Sequence, residues 1–277
     1  MNERHVSFRQ ERKGRLAWWI GGGVVAVAIA AAYFYYTHKV PDASAAQPVA
    51  AQPTAPAPEA SAEASILYPV PAPESQQGLP TLAESDDTAL GALAEIIGGH
   101  PADQLLVPDG IIKRIVVTVD NLPLDRLDVE RRPVKSTPGS LVVDERGEVM
   151  TLGADNHSRY TPFIDVVRAA DPALLAAAYF RFYPLFQQAY EELGYNGKYF
   201  NDRVVEVIDH LLQTPDLQGP IRLVRPNVFY EFEDADLEAR SAGQKLLIRM
   251  GNENAGLIKQ KLRDLRSQIV RGTKEPQ

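Results

Sequence analysis

Cysteine is absent from all 277 residues. That removes disulfides, thiolate metal sites and cysteine nucleophiles, and it suits an oxidising compartment, where a stray thiol is a liability. Histidine is scarce. His5 lies in a basic tail and His38 beside an apolar run, which leaves His100, His157 and His210, each more than fifty residues from the next. No His-x-x-x-His or Glu-x-x-His pair exists, so a helical zinc motif is missing. A Gly-x-Ser-x-Gly elbow is missing too, and with it the signature of a serine hydrolase. Positive charge is in deficit: 29 Lys and Arg stand against 36 Asp and Glu, a net charge of −7. Residues 78–239 alone hold 27 acids and 14 bases. Such a surface repels a phosphate backbone, so nucleic acid is not an expected partner.

What the chain has in excess is one uncharged apolar run, Leu16–Tyr36, of 21 residues. At 1.5 Å per residue a helix of that length spans roughly 31 Å, the thickness of a bilayer's hydrocarbon core. Trp18 and Trp19 stand near one end and Tyr33, Phe34, Tyr35 and Tyr36 at the other, as interfacial belts would require. Residues 1–15 carry five bases and two acids, and the far flank offers His38 and Lys39. This bias predicts a cytoplasmic N-terminus and a domain outside the inner membrane, in the periplasm. The alternative is a cleaved signal peptide with Ala28-Ile29-Ala30 as its processing site. Signal peptides usually carry a shorter apolar region, and the distal aromatics favour an uncleaved anchor.

Thr37–Gly78 reads as a disordered Pro/Ala-rich linker. Nine of the 21 prolines fall between Pro41 and Pro80, and each fixes φ and removes an amide donor. The sole apolar cluster there is Ile66-Leu67-Tyr68, either a passive part of the spacer or a docking segment. The folded domain is expected over 79–272, with 273–277 a tail.

Within it the pattern predicts a mainly helical domain with a small β-hairpin or short strands. Helices are expected after Asp86 or Asp87, over 111–122, from Thr161 through Ala169, and from Asp171-Pro172 toward Leu193. Pro184 should kink or split the last of these. Asn201 is expected to cap a further helix, and one helix should run from Asp234 or Asp236 through Met250. Asn252 should cap the final one. Residues 123–139 read as irregular and Asp155–Arg159 as a loop. Leu141–Val143 and Glu148–Leu152 flank Asp144–Gly147, a hairpin pattern. Ile221–Val224 and Val228–Phe232 read as short strands.

No catalytic residue, metal ligand or cofactor follows from these residues. Gly194-Tyr195-Asn196-Gly197-Lys198 has the wrong spacing for a phosphate loop and reads as a tight turn. His210 reads as structural, and His157, in a polar loop, is the better functional histidine. The acidic run Glu231, Glu233, Asp234, Asp236 and Glu238 lacks the glycine of a calcium loop and reads as acids offsetting a helix dipole. Arg225, Arg240, Lys245, Arg249, Asn252 and Asn254 are the candidate binding residues, a polar surface for an acidic partner or a glycan.

Residues 225–266 read RPNVFYEFEDADLEARSAGQKLLIRMGNENAGLIKQKLRDLR. This stretch resembles the C-terminal signature of a bacterial family known as a domain of unknown function, numbered 3014. Leu79–Asp86, Val119–Leu122, Arg159-Tyr160, Ala189–Tyr195 and Ile208–Leu212 resemble it in the same order, over about 79–270. The resemblance implies an anchor, a proline-rich spacer and one domain, and carries no activity. The leading expectation is therefore an interaction or scaffold module tethered to the inner membrane, meeting an envelope protein or polymer. The alternative is an enzyme hydrolysing an envelope polymer through carboxylates such as Asp165, Asp209 or Glu231.

Overall fold

A computed structural model describes residues 66–71, 78–97, 105–137 and 139–274. The expected span at 16–36, most of the linker, and His5, His38 and His100 lie outside these residues. No helix among the described residues is long and apolar enough to cross a membrane.

Helix α1 covers Asp86–Ile96 and α2 covers Ile111–Asn121. The expected acidic cap of α1 is absent. Ser85 holds the cap position without a side-chain bond to the helix. Asp86 is used elsewhere: its carboxylate accepts from the amides of Gly110 and Ile111, at 2.8 and 2.9 Å. Those are orphan donors at the start of α2, so one acid at the start of α1 caps its neighbour. The 3.6-residue period of α2 buries Ile111, Ile112 and Val116 almost completely. The stretch after it is irregular, as read, apart from a short 3-10 turn at Val129–Arg131.

Strands β1 (Val143–Arg146) and β2 (Val149–Leu152) form the hairpin, but the turn falls later than the charge pattern suggests. Arg146 pairs with Val149, so Gly147-Glu148 is the loop. Gly147 has φ +65°, which costs glycine little, and this pins the turn there. Two short strands join the same sheet: β3 (Arg222–Val224) on β2 and β4 (Glu231–Phe232) on β3, all antiparallel. Residues 154–160 form a 3-10 turn, not a loop.

Helix α3 is Thr161–Ala169, α4 is Pro172–Glu192 and α5 is Phe200–Leu212. Asp171 caps α4 as its sequence predicts, accepting from Ala173 and Leu174. Pro184 does not split α4. Phe182 and Tyr183 before it and Leu185, Phe186, Ala189 and Tyr190 after it are all buried, so packing on both sides outweighs one lost backbone bond. Nor does Asn201 cap α5, which begins one residue earlier. Asn201 is fully buried; its amide donates to the Tyr68 carbonyl and accepts from the Tyr179 hydroxyl, both at 2.9 Å.

The anticipated helix from Asp234 to Met250 is two helices, α6 (Ala235–Glu238) and α7 (Ala242–Met250). Asp234 caps the first and Ser241 the second. The break lets Ala242 and Gly243 donate to the carbonyls of Leu124 and Leu122. A β-carbon on Gly243 would stand 2.6 Å from a Leu211 methyl and 3.0 Å from the Leu122 carbonyl oxygen, so glycine suits this close crossing. Helix α8, Asn252–Lys274, starts at Asn252, whose side chain is taken by both backbone groups of Leu217 instead of capping.

Three apolar clusters hold these elements. The largest joins α1, α2, α4, α5 and α8 around Phe200, Ile111 and Ile269. A second joins Tyr160, Ile164, Leu247 and Met250. The third packs Leu223 and Phe232 of the sheet against Ile248. Helix α7 thus contributes to two clusters, which ties the sheet to the helices.

The packing reaches ahead of the expected boundary at Leu79. The amides of Leu67 and Tyr68 donate to Asp202, at 3.0 and 2.8 Å, and Val70 donates to the Tyr199 hydroxyl. With Asn201 on the Tyr68 carbonyl, the start of α5 holds Ile66–Val70 by its main chain.

Candidate binding cleft

Two places gather polar side chains. In the first, the polar groups are paired with one another. Asp120, at the end of α2, is 7% exposed. Arg203 Nε donates to its Oδ1 at 3.0 Å, and the Tyr195 hydroxyl donates to Oδ2 at 2.9 Å. Arg203 also binds the Asp120 carbonyl and Glu206. The bond to Asp120 is the main force that pushes the Tyr195 phenol up, because the carboxylate favours the protonated form. Every group here has its partner, so the knot reads as structure. Tyr195 sits in the tight turn expected at 194–198, where Gly194 and Gly197 take positive φ.

The second place is open: a cleft of about 630 Å³ between the hairpin, the 154–160 turn, the loop before β3 and the α7–α8 corner. Asn156 builds its floor. It is 1% exposed, accepts from the Val142 amide, and donates to the carbonyls of Val142 and Gly153. Arg159 braces Asn156 and reaches the Gly139 carbonyl. A β-carbon on Gly153 would stand 2.8 Å from Val142, so the strand and the turn meet there only through glycine. At the corner, Gly251 takes φ +84° and redirects the chain from α7 into α8. Asn252, pinned to Leu217, closes that end.

The six candidate binding residues separate. Arg249 and Asn252 line the cleft, and so does His157. Lys245 does not; it is 14% exposed at its side chain and bound to Glu238 at 2.8 Å. Burial pushes the Glu238 carboxyl up, but the bonds from Lys245 and the Phe232 amide, with the charges of Lys245 and Arg249, outweigh it and leave the pKa lowered. Asn254 ties the His157 carbonyl to the corner. Arg225 lies over the Tyr230 ring, at 5.2 Å, between β3 and β4, and Arg240 is half-buried ahead of α7. His210 meets Ser241 at 2.8 Å, the structural role expected of it.

Residues the sequence reading did not single out for binding complete the wall: Asp144, Arg146 and Thr151 from the hairpin, and Asn156. Strand alternation places Asp144 and Arg146 on one face, a usable signal, but nothing local links them to a helix a hundred residues on. None of Asp165, Asp209 and Glu231 lines the cleft. Asp165 pairs with Arg168, and Asp209 is held by two bonds from Arg266, at 2.6 and 2.8 Å. Three of the five acids at 231–238 are spent on caps and pairs: Asp234 on α6, Glu233 on Arg222, and Glu238 on Lys245. Among the described residues no group of acids and histidines is arranged to hold a metal ion.

A family model described as "Protein of unknown function (DUF3014)" matches residues 111–266, more than half of the chain. No curated protein and no solved structure matches it.

Proposed function

The chain belongs to the DUF3014 family of proteins of unknown function, and on that premise we propose that it is a binding module tethered to the inner membrane. In this reading Leu16–Tyr36 spans the bilayer, residues 1–15 stay in the cytoplasm, and the domain faces the periplasm, where its cleft meets an envelope protein or polymer. The charge bias across the apolar run supports the orientation. The observation that carries the binding role is the cleft itself. It is open, polar and apolar side chains share its lining, and its α7–α8 wall lies within the matched residues 111–266. Its side chains present separate donors and acceptors and no nucleophile–base pair, which suits recognition.

The test is a photoreactive residue placed at Val149 of the full chain in intact cells. Val149 lines the cleft and is 45% exposed. The control position is Leu174, on α4 and away from the cleft, at 53%. A discrete adduct from Val149 with none from Leu174 is expected. Equal labelling, or none from Val149, overturns the binding role. A reporter active only outside the cytoplasm, fused after Gln277, is expected to be active; activity from a cytoplasmic reporter alone overturns the topology.

A further inference from the structure

Several cations of the C-terminal segment are spent inside the fold. Lys245 holds Glu238, Lys259 holds Asp216 and the Thr214 carbonyl, and Lys261 holds the Ala170 carbonyl. Arg249 is different. Its guanidinium lies over the Phe232 ring, 5.3 Å from the centroid, and Phe232 is 2% exposed. Among the described residues no carboxylate or carbonyl pairs with it, and its Nε is buried without a partner. Glu238, an acid that feels its charge, is already held by Lys245. Guanidinium has five donors and no acceptor; with Nε sealed from solvent, an acceptor from outside meets the outer Nη groups, which no acceptor among the described residues takes. A buried donor without a partner is costly and calls for an explanation.

Arg240 shares the unpartnered Nε but does not line the cleft. Arg146, in the hairpin wall, also makes no ion pair among the described residues. With Asp144 the one carboxylate in the lining, two arginines against one acid leave this wall net positive by one, in a domain that is otherwise acidic.

We propose that the cleft is an oxyanion site: the fork of Arg249, placed over the Phe232 ring, takes a carboxylate or phosphate group of the ligand, with Arg146 adding attraction from the hairpin wall. Stacking preorganises the fork, and a planar bidentate contact is what arginine offers and lysine lacks. The proposal rests on the binding role of the cleft and names the chemistry that the cleft selects.

The experiment uses the full chain with ¹⁵N-labelled arginine, titrated with succinate, inorganic phosphate and the neutral isostere succinamide at constant ionic strength. The Arg249 Nε–H signal is expected to shift saturably with at least one anion and not with succinamide. Whichever anion saturates first identifies the source, carboxylate or phosphate. Arg249→Gln should weaken that binding at least tenfold with melting unchanged. Arg249→Lys should weaken it nearly as much, because the charge stays and the fork goes. If succinamide shifts the signal as succinate does, or neither anion shifts it, the proposal falls without reference to any variant. If Arg249→Gln binds as wild type does, the proposal falls as well. Adducts at Val149 persisting in Arg249→Gln cells would sink the oxyanion site and leave the binding role standing. Loss of adducts in wild-type cells sinks the binding role itself.

Discussion

Arg203 and Arg249 stand on neighbouring helical elements and lead opposite lives. Arg203 is 19% exposed at its side chain and meets Asp120, Glu206 and a carbonyl. Arg249 meets one aromatic ring and nothing that accepts a proton. Both are partly withdrawn from water, so both lose hydration; only one recovers it inside the protein. A charge that folding satisfies belongs to the fold, and removing its partner harms stability. A charge that folding leaves unsatisfied belongs to whatever arrives later, and removing it should harm binding alone.

The largest break in that contrast is Asp120→Ala. It takes the acceptor from Arg203 Nε and from the Tyr195 hydroxyl, although Glu206 and the Asp120 carbonyl still hold the guanidinium, and should cost about 3 kcal/mol in denaturant unfolding. A loss under about 1 kcal/mol would mean the knot is not holding α2 to α5. Next comes Asn201→Ala. It leaves the Tyr68 carbonyl and Tyr179 hydroxyl without their partner, for about 2 kcal/mol. It should also expose the 66–71 segment to limited proteolysis well before the core is cut. Smaller still is the pH effect at Lys245. Glu238 has a lowered carboxyl pKa in the folded state, so its contribution is present above the ordinary value of 4.5 and is lost as pH falls through the folded one. Lys245→Gln removes the main partner, so its stability should fall less steeply than that of wild type as pH drops below about 4.5. The smallest effect belongs to Arg249→Gln, expected within about 0.5 kcal/mol of wild type. A large loss there would place Arg249 beside Arg203 and erase the contrast.

Local patterns carried much of the helical frame. The spacing of Ile111, Ile112, Ile115, Val116 and Val119 set out α2, and Asp171-Pro172 marked the start of α4. What the sequence hid were side chains diverted over long distances. Asp86 caps another helix, Asn201 grips a segment more than a hundred residues earlier, and Asn252 pairs with Leu217. Each has the residue type of a local cap, and nothing nearby reveals that a remote donor competes for it. The break between α6 and α7 is likewise set by tertiary bonds to Leu122 and Leu124. For the cleft, Arg249, Asn252 and His157 were legible as polar residues in a basic or loop context. Their meeting with Asp144 and Arg146 was not, because β2–β3 pairing across seventy residues builds that wall. Lys245 misled for the same reason: its acid lies seven residues back, across a helix break that periodicity does not show.

The grip of α5 on Ile66–Val70 has a mechanical consequence. A pull on the chain ahead of Ile66 is borne first by the Leu67 and Tyr68 amides on Asp202, then by the Tyr68 carbonyl on Asn201, and last by the Val70 amide on Tyr199. These bonds lie at the start of α5, whose Val204, Val205 and Ile208 sit in the largest core cluster. Load is therefore delivered to the stiffest part of the domain, while the sheet and the cleft stay off the line of force.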